Sequence, residues 1–162
     1  MSTSDDDSVD GKYKERRRKL FLAAKHPTEI AFEAGYDAIG VILEFTSLRL
    51  STTVAILPDG SVSIYTSKGG SVTGVGSISA VQTVSLELLR SSESVLDLLT
   101  SSEPPNIPHN DQWCVSVVRR GGSLHCGSFN MTDHKTRQAE VFTLGQKLIF
   151  FVSRSITVKG NG

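Results

Sequence analysis

The chain has 162 residues and a mass of 17.5 kDa, with 38% hydrophobic and 21% charged residues, the size and composition of one globular domain with a real core. Seventeen basic and seventeen acidic residues leave a formal net charge of zero, which disfavours binding of nucleic acid over the whole surface. The N-terminus is polar and acidic, no apolar run approaches the roughly 20 residues needed to cross a bilayer, and two cysteines are too few for a secreted disulfide framework, so the expectation is a cytoplasmic protein.

Residues 1–12 read as a disordered acidic tail and 13–158 as a single domain, because the Ser- and Asp-rich start has almost nothing to bury. The charge then reverses in KYKERRRK, Lys12 to Lys19. A solvated first helix is the simpler reading, and the basic arm 12–19 is the one route by which a nucleic acid or membrane surface would be engaged. Thr28 suits a helix N-cap and Gly35 a stop, so one broken helix or two short ones precede the sheet. From Ile39 the period becomes two: Ile39, Val41, Leu43 and Phe45 alternate with Gly40, Ile42, Glu44 and Thr46, which predicts a strand, with one helix from Thr28 through Leu48 as the competing reading.

Pro58-Asp59-Gly60 predicts a three-residue hairpin loop that pairs Leu57 with Ser61. Val54, Ile56, Val62 and Ile64 then share the core face, and Ala55, Ser63 and Tyr65 the other. Ser77 is the expected cap of a helix whose stripe runs from Ile78 through Val81, Val84, Leu88 and Val95 to Leu99, ended by Pro104-Pro105. A second hairpin turns at Arg120-Gly121. Read as a two-residue loop, it places Trp113, Val115, Val117, Leu124 and Cys126 on one face, and Cys114, His125, Gly127 and Phe129 on the other. Thr132 or Asp133 is the expected cap of a last helix whose apolar residues spread around its circumference, with an end from Val158 that frays. Gly145 within it invites close approach of another helix or strand, here read as a homodimer contact. The order is α-βββ-α-ββ-α: an α+β domain with an antiparallel sheet of about five strands, a meander of three followed by a hairpin, and helices packed on it.

The candidate ligand site is the loop Lys68-Gly69-Gly70-Ser71-Val72-Thr73-Gly74-Val75-Gly76-Ser77. Glycines allow amides to converge, and the following helix start adds positive potential. An anion or nucleotide would be held by Lys68, Gly69, Gly70, Ser71, Thr73 and Ser77. Neither the P-loop nor the dinucleotide pattern is present, so no cofactor is implied. His109, Cys114, His125, Cys126 and His134 crowd one region, but the two-residue register sends Cys114 and Cys126 to opposite faces, which argues against both a metal site and a disulfide. Cys114 with His125 and Asp111 or Asp133 is the best nucleophilic set, and no local signature supports it.

The segment DGSVSIYTSKGGSVTGVGS, residues 59–77, resembles a group of small uncharacterised bacterial proteins that share Asp-Gly, a Ser-hydrophobic-Tyr triplet, a Gly-Gly pair and a further Gly ahead of a helix. Those members usually carry a third consecutive glycine where Ser71 stands. The resemblance implies a bacterial-type cytosolic domain and no activity. The order of helices and hairpins is also similar to the roadblock and longin group, which implies a mostly non-catalytic dimer that binds small GTPases or scaffolds complexes. The functional expectation is a non-enzymatic interaction or regulatory module, self-associating through its last helix, with the anion-binding loop as the alternative.

Overall fold

The computed structural model describes residues 11–27, 30–31, 36–132 and 136–160. Helix α1 (Gly11–Lys25) precedes strands β1 (Ala38–Ser47), β2 (Leu50–Ile56), β3 (Val62–Thr66) and β4 (Ser71–Thr73). Helix α2 (Ser79–Glu93) and a 3₁₀ turn (Leu96–Leu98) lead to β5 (Gln112–Arg119), β6 (Leu124–Asn130) and helix α3 (Arg137–Gly160). All strand pairs are antiparallel, in the order β4-β3-β2-β1-β5-β6. The class is α+β as expected, but the sheet has six strands in place of five and the meander four in place of three. The extra strand lies inside the glycine-rich loop. Gly69, at φ 90°, closes a turn that folds Ser71–Thr73 back on β3, and three residues between glycines are too few to show a period.

The predicted β2–β3 hairpin forms, with the Leu57 N–H on the Ser61 carbonyl at 2.9 Å and Val54 opposite Ile64. Residues 38–47 are a strand, which removes the competing long helix. A bulge between Ala38 and Gly40 turns Ile39 to the face opposite Val41 and Leu43, so the alternation inferred from Ile39 holds only from Val41 onward. The β5–β6 turn differs from expectation. Arg119 donates its N–H to the Ser123 carbonyl, so the loop has three residues, 120–122, with φ of 93° at Gly121 and 89° at Gly122. That single extra residue reverses the parity of β6. Cys126 faces Ser116 and shares a face with Cys114, while His125 pairs with Val117 on the other.

Helix α2 ends at Glu93, before the expected stop at Pro104-Pro105. The Glu93 side-chain carboxylate accepts the Asp37 and Ala38 N–H groups, and Val95 and Leu99, which flank the 3₁₀ turn, enter the core. Ile78 takes the N-cap position without a side-chain bond, so Ser77 is not the cap. Helix α3 starts at Arg137, after Thr132, and extends to Gly160 past the expected fraying point. The expected cap Asp133 and the Thr28 and Gly35 signals lie outside the described residues, as do residues 1–10; Gly11 and Lys12, assigned to the tail, begin α1.

One sheet face is apolar and carries α2 and α3. Val41, Leu43, Val54, Ile56, Val62, Val115 and Val117 meet Val81, Val84, Leu88, Val141, Leu148 and Val152. At its far end Trp113 packs at 4.9 Å from Phe129 and 5.4 Å from Phe142. Gly145 of α3 faces Leu43, and a Cβ there would collide with the Leu43 Cδ2 methyl. The glycine therefore serves approach of α3 to its own sheet. The opposite face carries α1 alone among the described helices, and it buries the charged Glu44 together with Thr53, Ser63 and Ser116.

Candidate functional site

Helix α1 presents Tyr13, Arg17, Leu20, Phe21 and Ala24 to the sheet, a spacing that puts all five on one face. Four are buried side chains, and the fifth is a cation whose side chain is 15% exposed. It is matched by Glu44. Alternation along β1 sends Glu44 to the α1 face of a central strand, where its side chain is 1% exposed. An ionised carboxylate at such a site is tolerated only with close partners. Arg17 Nε donates to Glu44 Oε2 at 2.6 Å and Nη2 to Oε1 at 2.9 Å, a planar two-bond fork. Thr53 Oγ1 donates to Glu44 Oε2 at 3.2 Å and also meets the Tyr13 hydroxyl at 2.5 Å.

Arg17 reaches further. Its guanidinium lies 4.9 Å from the centre of the Phe21 ring and donates a second Nη2 bond to the Pro105 carbonyl. Burial opposes the Arg17 cation, but the hydrogen bond and charge of Glu44 outweigh it and hold its pKa above the ordinary value. Burial, aided by the Glu44 charge, also holds the Tyr13 phenol well above its usual range, so it stays protonated.

Cys114 stands directly across from Glu44 on β5, and its thiol lies 3.2 Å from Ser128 Oγ. Beside it is a cleft of about 400 Å³ between the outer face of β5–β6 and the strap 100–109, lined among others by Thr100, Ile107, His109, Cys114, Cys126 and Ser128. Both thiols are free and buried. Burial pushes Cys114 up to about 11, against the pull of Ser128, and raises Cys126 as well. A thiol held neutral is a poor nucleophile and a poor metal ligand at neutral pH. The corrected register thus brings the two cysteines to one face, yet among the described residues no group of three or more His, Cys, Asp or Glu is arranged to hold a metal ion. His125 lies on the other face from Cys114, Asp111 sits in an exposed turn, and Asp133 and His134 are outside the described residues.

The six residues of the expected anion site are divided. Lys68, Gly69 and Gly70 form the β3–β4 turn, Ser71 and Thr73 lie exposed on β4, and Ser77 precedes α2 at the other end of β3. Gly76 there packs on the Gly60 backbone. The five residues of β3 separate Lys68 from that point, roughly 16 Å of strand. The Gly69 and Gly70 amides are taken by Thr66, through its carbonyl and Oγ1, each at 3.1 Å. These residues do not form one cradle.

The Arg17–Glu44 pair escaped sequence reasoning. Its trace there is one carboxylate inside the otherwise uncharged run AIGVILEFTS; nothing marks Arg17 within RRR as different from its neighbours. Comparison of the chain with protein-family models, with curated proteins and with solved structures found no match.

Proposed function

We propose that the chain is a non-enzymatic protein-interaction module that self-associates through α3. The observation that carries this reading is Phe150. It is 55% exposed on the solvent side of α3, with the Arg154 guanidinium 5.6 Å from its ring centre and the Phe151 ring 5.8 Å away. An exposed aromatic stacked with arginine is the composition of an interface anchor. A two-fold pairing of α3 with its copy would set the two Phe150 rings against each other. The polar groups on the α1 face support the non-catalytic half of the reading, since carboxylate, guanidinium, phenol and hydroxyl bind one another.

Light scattering coupled to gel filtration tests it. The expected result is a wild-type dimer and a Phe150→Glu monomer with unchanged circular dichroism. A wild type that stays monomeric at the highest concentration reached would sink the proposal.

A further inference from the structure

One end of the sheet gathers four turns: 48–49 between β1 and β2, 67–70 between β3 and β4, 109–111 ahead of β5, and 131–132 after β6. The three non-glycine residues with positive φ among the described residues all lie here: Leu48 at 52°, Arg49 at 63° and Asp111 at 65°. A two-residue hairpin turn with both φ values positive is normally filled by Asn-Gly or Asp-Gly, because a Cβ in that conformation crowds the following carbonyl. Leu48 and Arg49 fill it instead. Leu48 is also 90% exposed, so no burial within the chain offsets the strain. Asn110 Oδ1 accepts the Arg49 N–H at 2.9 Å and holds the turn in place.

Two exposed cations lie on the turns at this leucine. Arg49 is exposed, and the Ser67 N–H on the Ser51 carbonyl sets the turn bearing exposed Lys68 against the start of β2. The N-terminal half of α1 points to the same end, with Tyr13 on Thr53 and the Arg16 guanidinium 5.8 Å over Tyr65. Asp111 is the one carboxylate among the described residues of these turns.

We propose that this end of the sheet docks reversibly on an anionic lipid bilayer, with Leu48 entering the interfacial region and Arg49 and Lys68 meeting headgroup phosphates. An apolar tip beside two cations gains from both the acyl boundary and the surface charge. Duplex nucleic acid would reward the cations and leave the leucine without a partner. Among the described residues no helix is long and apolar enough to cross a membrane.

The test is sedimentation of the full chain with vesicles of phosphatidylcholine alone and of phosphatidylcholine mixed with phosphatidylserine. The key variant is Leu48→Asn with Arg49→Gly, which gives the turn the residues its geometry favours and so folds at least as well; its melting temperature checks this. Wild type should pellet with the mixed vesicles only and be released by salt. The double variant should bind more than about tenfold more weakly, and Lys68→Ala about fivefold more weakly. Equal partition onto both vesicle types, absence of binding to either, or an unchanged double variant would overturn the proposal. Stronger binding to a duplex oligonucleotide that the double variant leaves intact would also overturn it, in favour of a nucleic-acid surface.

Discussion

Glu44 and Arg17 illustrate how unequal two halves of one interaction can be. Removing Arg17 leaves a buried charge without its partner, whereas removing both charges leaves a site that apolar side chains can fill. Arg17→Ala should therefore lower stability by about 3–5 kcal/mol in urea denaturation, and Arg17→Met combined with Glu44→Leu should recover most of that loss. A double variant as unstable as Arg17→Ala alone would show that the fork has no such asymmetry. Cys114 supplies a pH signature. Its folded pKa, about 11, lies above the ordinary thiol value of 9.0, so its neutral form is favoured by folding. That contribution is complete below pH 9 and is lost as pH rises through 11. Cys114→Ala should flatten the alkaline fall in melting temperature over this window, and at neutral pH the wild-type thiol should react slowly with iodoacetamide until the chain is unfolded.

At the scale of elements, two places are governed by backbone geometry. Gly145 lets α3 sit against Leu43, and Gly145→Ala should destabilise by about 1–3 kcal/mol through overpacking, although alanine is the better helix former. A stabilised variant would mean that Leu43 repacks freely. The Leu48–Arg49 turn should respond in the opposite sense. Leu48→Asn with Arg49→Gly should raise the unfolding free energy by about 1 kcal/mol, since the left-handed φ values no longer oppose a side chain. The elements themselves were largely legible. The β2–β3 hairpin follows from Pro58-Asp59-Gly60 between alternating apolar residues, and the main body of α2 from its stripe of Val81, Val84 and Leu88. The β5–β6 register was not, because Arg120-Gly121-Gly122 is compatible with a loop of either two or three residues and a single residue inverts every side chain beyond it. Strand β4 was hidden for a related reason: its partner is β3, and three residues between glycines carry no pattern of their own.

For the whole molecule, the two sheet faces differ in kind. The face under α2 and α3 is held by aliphatic and aromatic packing, while the face under α1 combines a smaller apolar cluster, Leu20, Phe21, Ile39, Ile42 and Leu124 among it, with one buried ion pair that also ties the strap through Pro105. Hydrogen exchange should therefore show α1 opening at lower free energy than α3, and Arg17→Ala should accelerate exchange in α1 first. Uniform exchange across the three helices would contradict this division.

Period and punctuation were sufficient to determine the α+β class, the positions of most strands and helices, and which aliphatic residues enter the core, because those depend on residues close together along the chain. Contacts between distant segments decided the rest. Whether Arg17 or Arg18 is buried, whether Cys114 and Cys126 share a face, whether Lys68 and Ser77 lie near each other and what Gly145 accommodates all turn on which residue lies opposite across a strand pair or a helix–sheet seam. That pairing is a property of the assembled fold, where a one-residue change of register outweighs any local preference.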